Sequence, residues 1–206
     1  NCVNISNSTI TINVNAPPNA GVSSNLSVCG DDISLYPLQN QLGGGQDLTG
    51  YWTVPPSTQL PNNPNFDFNP QTMIAGNYTY TVSAAPCPDA TATVTVSLIT
   101  PPFSGIPNPA SICENAYSAA NPFDLNTLLV GADPGGIWLD PSGNPIAPTI
   151  DPATYGVGVS GFTYEVFGVP PCLNSQTNVN LTINPEPIIG PITATKKPVI
   201  PIVHPQ

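Results

Sequence analysis

Five cysteines, at positions 2, 29, 87, 113 and 172, are the side chains of this 206-residue chain best suited to chemistry. A thiol can ligate a metal, attack a carbonyl or pair with another thiol. Zinc sites need closely spaced ligands of the CxxC type, and none is present. Catalysis of the Ser/His/Asp or Cys/His kind needs a histidine, and the single one, His204, sits in the proline-rich tail "KKPVIPIVHPQ". Two carboxylate pairs invite attention, Asp31 with Asp32 and Asp133 with Asp140. Acid–base work needs environments that drive two pKa values apart, and these aspartates lie in turn-like, exposed sequence. Aspartate-rich turns can also hold calcium, but no EF-type or nonapeptide motif occurs. No catalytic, cofactor-binding or metal-ligating residue is expected, and the chain does not read as an enzyme. Disulfide formation is the chemistry that remains.

The cysteine spacing also exposes the organisation. Cys2 to Cys87 and Cys87 to Cys172 are both 85 residues, and Cys29 to Cys113 is 84. Such regularity marks an internal repeat. Trp52 recurs as Trp138, and Tyr78 and Tyr80 recur as Phe162 and Tyr164. "FNPQTMIAGNYTY" (68–80) corresponds to "IDPATYGVGVSGFTY" (150–164), and "NAPPNAG", "ITPPFSG" and "NPEPIIG" follow successive hairpin cysteines. Residues 19–102 and 103–187 read as two complete modules. Residues 1–18 read as the last strand of a preceding module, and 188–206 as a linker and the start of the next. Asn1 opens directly into strand-like sequence, as expected of a segment of a longer precursor.

Composition narrows the function classes. Twelve acidic residues face two lysines and no arginine, a formal charge of −10. Nucleic acid and anionic membrane surfaces would both repel such a chain. No apolar run is long enough to span a bilayer, so no membrane insertion is expected. Hydrophobic residues make up 40% of the chain, enough for packed cores despite 28 prolines.

Each module reads as all-β. "TITINV" (9–14), "TATVTVSL" (91–98) and "TNVNLTI" (177–183) alternate with period two. "YTYTV" and "FTYEV" carry the aromatic and β-branched residues that suit a pleated surface. Turn residues punctuate these runs at "LGGG", "PGG" and "PSGNP". Several short strands in about 85 residues, with a central tryptophan and a tyrosine-rich penultimate strand, indicate tandem immunoglobulin-like β-sandwiches. Leu35, Leu38 and Leu42, and again Leu125, Leu128 and Leu129, predict a short helical turn in each. Trp52, Trp138, Tyr80 and Tyr164 are expected in the cores. Stacking of the tryptophans on sugars is the competing reading.

Two periodic cysteine pairings fit the spacing. One joins Cys29 to Cys87 and Cys113 to Cys172 inside modules; the other joins Cys2 to Cys29 and Cys87 to Cys113 between them. Cys87 falls in the hairpin before the final strand, which then carries the chain on the order of 30 Å to the other pole. Cys113 lies beyond that point, too far from Cys87 for a bridge. Within-module pairing is therefore expected, with the partner of Cys2 lying upstream.

The run "VCGDDISLYPLQNQLGGG…YW…FNPQTMIAGNYTYTVSAAPCPDATATVTV", with "GADPGGIWLDPSGNPI" and "IDPAT…GFTYEVFGVPPC", resembles the tandem repeats of very large Bacteroidota surface proteins. These include gliding-motility adhesins of SprB type and other proteins carrying a gliding-associated secretion domain. The resemblance covers essentially the whole chain and implies export by the type IX route to the cell surface, and assembly into long fibres. The first module departs from the pattern with "FNPQT" for "IDPAT" and "GQDLTGYW" for "DPGGIW". A stalk segment of an extracellular adhesin or surface filament is the expected function, with neighbouring modules as partners, and surface polysaccharide or other cell-surface proteins as further candidates. A carbohydrate-binding array and a non-catalytic region of a secreted hydrolase are the alternatives.

Overall fold

Alternation decides where the strands form and which way they face. In the computed structural model, which describes residues 8–56, 58–60, 65–187 and 190, the longest runs of period two become the longest strands. The first repeat carries β1 (Ser24–Cys29), β2 (Tyr36–Pro37), β3 (Tyr51–Val54), β4 (Thr58–Leu60), β5 (Asp67–Phe68), β6 (Gly76–Val82) and β7 (Ala90–Ile99). Along β7, Ala92, Val94 and Val96 are buried while Thr91, Thr95 and Ser97 face solvent. Five strands form one sheet in the order β1-β7-β6-β3-β4, and β2 pairs with β5 in a second layer. Every pair in the larger sheet is antiparallel except β1 with β7, which run parallel with Cys29 opposite Ile99. The second repeat carries β8 (Ile106–Pro107), β9 (Ala110–Cys113), β10 (Phe123–Asp124), β11 (Leu129–Val130), β12 (Ile137–Leu139), β13 (Pro145–Ile146), β14 (Thr149–Ile150), β15 (Gly158–Val166) and β16 (Ser175–Asn184). Its larger sheet has the equivalent order, β13-β12-β15-β16-β9, and β16 again pairs parallel with the first long strand, placing Cys113 opposite Asn184.

The fold is all-β, of immunoglobulin-like sandwich type. The leucine triplets form 3-10 turns, Leu38–Gln41 and Leu125–Leu128, and these plug the sandwiches with the fully buried Leu38, Leu125 and Leu128. A single turn cannot hold itself, so burial of its leucines sustains it. In one repeat Asp124 caps the turn by accepting from the Asn126 N–H at 2.9 Å. Leu35, the first of its triplet, stays exposed.

By packing, the chain divides into two compact units. One comprises residues 1–104, 132–136 and 165–176, and the other residues 105–131, 137–164 and 177–206. The first unit therefore includes short stretches that belong by sequence to the second repeat. Its core gathers Trp52, Tyr80, Tyr78, Phe68 and Leu38 with the inward side chains of β7. That of the second unit is built on Trp138, Phe162, Leu125, Leu128, Leu181 and Ile183.

Two expectations are corrected here. The run 9–14 forms no strand: residues 8–15 are exposed, with Ile10, Ile12 and Val14 at least 81% accessible. A strand needs an edge to pair with, and alternation alone supplies none. The cysteine pairing also differs, as described below. Cys2, His204 and most of 188–206 lie outside the described residues.

The buried hydroxyl of Tyr80 ties the larger sheet of the first repeat to the loop before β3. It donates to the Asp47 carbonyl at 2.7 Å and accepts from the Gly50 N–H at 2.9 Å. Gly50 has no room for a side chain, because a Cβ there would overlap the Thr81 carbonyl oxygen and stand 2.6 Å from the Tyr80 ring. Tyr80→Phe strands both backbone groups and should cost about 1–3 kcal/mol. Gly50→Ala, which displaces the ring itself, should cost more. Urea unfolding followed by Trp52 emission in a Trp138→Phe background checks both.

Candidate functional site

The aromatic residues occupy the interior. Trp52 and Tyr80 face each other across β3 and β6 with ring centroids 5.1 Å apart, both fully buried. Trp138 and Tyr164 repeat the arrangement at 5.1 Å and are 2% and 6% exposed. The Trp138 indole N–H donates to Asn126 Oδ1 at 3.0 Å, so its polar edge is satisfied inside the sandwich. Tyr78, at the start of β6, donates its hydroxyl back to the Ile74 carbonyl at 2.7 Å, the tyrosine corner of immunoglobulin-type sandwiches. Burial raises its pKa above the ordinary tyrosine value. Phe162, its counterpart, lacks the hydroxyl and instead meets Tyr155 edge-on at 5.0 Å. Neither tryptophan offers a face on which a sugar could stack.

The one covalent cross-link among the described residues joins Cys29 to Cys172, with Cα atoms 4.9 Å apart. Cys87 and Cys113 are free thiols. The pairings Cys29–Cys87 and Cys113–Cys172 are thus corrected: the bond runs from the first strand of one repeat to the hairpin of the next. The physical reason is strand direction. Because β1 is parallel to β7, Cys29 lies opposite Ile99, and the Gly30 N–H donates to the Ile99 carbonyl at 2.9 Å. Cys87 precedes the other end of β7, a strand length of about 30 Å away. Cys172 Sγ, by contrast, lies 3.5 Å from the same Ile99 carbonyl oxygen. Its hairpin is rigidly built. The Cys172 N–H donates to the Val169 carbonyl, Asn174 Oδ1 accepts from the Gly168 N–H, and Asn174 Nδ2 donates to Glu165. A Cβ on Gly168 would collide with the Leu173 and Cys172 carbonyls.

Among the described residues, Cys29, Asp31 and Cys172 are the only group of three side chains placed to share a metal ion. Both sulfurs are bonded to each other, so neither can supply the thiolate that a metal takes. Asp32 and Asp140 serve turns. Asp32 accepts from the Tyr36 hydroxyl and the Ser34 N–H, and Asp140 accepts from the N–H groups of Asn144 and Ser142. The Tyr36 bond holds the Asp32 carboxyl below the usual range, with the Ser34 N–H adding to it. For Asp140 the Asn144 N–H is the leading cause of the same lowering. Asp133 and Asp140 have separate tasks. Asp133 accepts the Phe103 N–H at 2.8 Å and returns its own N–H to the Phe103 carbonyl. Asp47 clasps Asn19 in the same reciprocal way, 2.9 Å to its carboxylate and 2.8 Å back. Sequence reasoning missed this clasp, which grips the residue just after a proline pair in each repeat. Its only signal was an aspartate at one phase of the repeat.

An open apolar cavity of about 240 Å³ lies between Val54, Pro55, Phe66, Thr72, Met73, Ile74 and Tyr78. No charged side chain lines it, and its one phenol is committed to Ile74.

No protein-family model matches the chain, and no curated protein matches it. Solved structures that resemble it include Sidekick-1 immunoglobulin domains 1–5, at 15% identity and a TM-score of 0.40, over 84% of this chain and 40% of that one. A Sidekick-1 structure of domains 1–4 gives 15% identity and 0.37, over 79% and 47%. Drosophila N-cadherin EC1-3 gives 9% identity and 0.30, over 83% and 68%. The chain spans less than half the length of the two Sidekick-1 chains.

The aspartate turns set a pH dependence of known sign. A carboxyl with a lowered folded pKa stabilises fully above its unfolded value, and that stabilisation disappears as pH falls through the folded value. The stability difference between the wild type and Asp140→Ala should be present at pH 7 and vanish well below the ordinary carboxylate range. Paired urea titrations across pH check this; a difference that does not change with pH would contradict it.

Proposed function

We propose that this chain is part of an extracellular stalk, a mechanical spacer of a surface adhesin or filament whose repeats are covalently coupled in series. One observation carries the reading: the Cys29–Cys172 bond ties one repeat to the next and closes 143 residues of chain. Closing such a loop stabilises by about 5 kcal/mol in the chain-entropy model. It also sets a hard limit on extension under tension, which non-covalent packing cannot do. A structural disulfide belongs to an oxidising compartment, in keeping with a place outside the cytoplasm. Commitment of the aspartates to turns and clasps supports a scaffold over a reactive site. The motif resemblance supports the finer assignment to gliding-motility adhesins exported by the type IX route in Bacteroidota, with neighbouring repeats, surface polysaccharide or cell-surface proteins as partners. Burial of both tryptophans weighs against the carbohydrate-binding array.

Force spectroscopy on the chain held by its two ends tests the spacer. Oxidised molecules should release only the residues outside the bridge, and reductant should add extension on the order of 500 Å from the 143-residue loop. Equal contour lengths with and without reductant would contradict it. Saturable glycan binding by the chain would move the reading to ligand capture.

A further inference from the structure

We infer that Cys87 and Cys113 are the two open ends of a disulfide ladder, in which the first-strand cysteine of each repeat bonds the hairpin cysteine of the repeat that follows. The partner of Cys113 is a further repeat of this same kind, presenting a cysteine where the second repeat has Cys172. The partner of Cys87 is the first-strand cysteine of the repeat before. This extends the array reading proposed above and does not depend on the mechanical role.

Each free thiol repeats the local setting of one of the two bonded cysteines, Cys113 that of Cys29 and Cys87 that of Cys172. At the formed site, Cys29 lies opposite Ile99 on a parallel strand pair, and the next residue, Gly30, donates its N–H to the Ile99 carbonyl at 2.9 Å. Cys113 lies opposite Asn184 on a parallel strand pair, and the next residue, Glu114, donates to the Asn184 carbonyl at 2.9 Å. The two settings match bond for bond. They differ in occupancy: Cys29 is 6% exposed and bridged, whereas Cys113 is an exposed thiol. The hairpin side matches as well. The Cys172 N–H donates to the carbonyl three residues back at 2.9 Å, and the Cys87 N–H does the same at 2.8 Å. Cys172 Sγ sits 3.5 Å from the carbonyl oxygen of Ile99, which lies just before the proline pair Pro101–Pro102. Cys87 Sγ sits 4.0 Å from that of Ala16, immediately before Pro17–Pro18. Cys87 thus lies beside the residue that precedes a proline pair, where, by the repeat, a first-strand cysteine belongs.

Bond formation is a two-electron oxidation. Two thiols lose two protons and two electrons to an external disulfide such as oxidised glutathione, which leaves as two thiols. In exchange form, the Cys113 thiolate attacks a mixed disulfide on the hairpin cysteine and expels glutathione.

The test is the full chain extended by one repeat, with a second copy of residues 103–187 inserted after Pro187, refolded in a glutathione redox buffer. That copy alone carries Cys113→Ser and, at an exposed position, Leu173→Val, so that its hairpin peptide has a mass of its own. With only two lysines in the parent chain, trypsin is of little use, so free thiols are alkylated and the protein is cut with pepsin in acid. The expected result is a cross-linked peptide joining Cys113 to the hairpin cysteine of the added copy, with Cys113 alkylation falling at least tenfold relative to the parent chain. Cys113→Ser in the extended chain should return that hairpin cysteine to the alkylated pool while Trp emission stays buried. Cys113 remaining alkylatable, bonding to Cys87, or cross-linking two separate chains would each overturn the ladder. With the Cys29–Cys172 peptide still present, those outcomes leave the spacer reading standing; the force measurement tests that independently.

Discussion

The direction of one edge strand governs the rest of this structure. Because β1 runs parallel to β7, its last residue, Cys29, arrives beside Ile99, where the sheet of the first repeat ends. An antiparallel first strand would have delivered that cysteine to the hairpin end, beside Cys87, and the bridge would have closed within the repeat. The parallel pairing makes that impossible, since a full strand of about 30 Å separates the two positions. It leaves Cys29 reachable from a segment beyond Ile99, and Cys172 is that segment. The second repeat keeps the rule, with Cys113 beside Asn184.

Moving the disulfide out of the sandwich leaves each core to be held by other means. In antibody domains a bridge between the sheets packs on the buried tryptophan. Here a tyrosine takes that place, Tyr80 against Trp52 and Tyr164 against Trp138, at the same 5.1 Å in both repeats. A tyrosine fills the volume of the bridge, and for Tyr80 the hydroxyl anchors a loop as well. Both lysines of the chain lie outside the described residues, so no described residue carries a basic side chain. Several aspartates act as acceptors for backbone N–H groups, in the Asp47 and Asp133 clasps and in the turns of Asp32 and Asp140. The two clasps reach across 28 and 30 residues of sequence to orient the chain just after each proline pair, whereas the Asp32 and Asp140 bonds shape local turns.

Much of the fold was legible because its signals are periodic. Alternation in "TATVTVSL" and "TNVNLTI" located β7 and β16, and the leucine triplets located the two 3-10 turns. Tryptophan beside glycine at one phase of the repeat read as core, and Trp52 and Trp138 are both buried. The disulfide was not legible, for a specific reason. Strand pairing direction leaves no mark in a six-residue run such as "SNLSVC", and without it the pole at which Cys29 ends is undetermined. The distance reasoning that ruled out Cys87–Cys113 applies equally to Cys29–Cys87 once β1 is known to be parallel. Residues 9–14 failed in the opposite way: their alternation is as good as that of β7, but no edge is offered to them. The clasp was invisible because an aspartate before a tryptophan strand has no local pattern that separates it from an ordinary turn residue.

Covalent connection from repeat to repeat is the central claim, and a disulfide map of the chain itself tests it most directly. The protein, folded without reductant, would be alkylated and digested with pepsin at low pH, where exchange is suppressed, and its cross-linked peptides sequenced by mass spectrometry. The coupled arrangement requires one peptide pair containing Cys29 and Cys172, with Cys87 and Cys113 both recovered alkylated. Recovery of Cys29 with Cys87 and of Cys113 with Cys172 would mean that each repeat closes on itself, and the serial covalent coupling would be wrong.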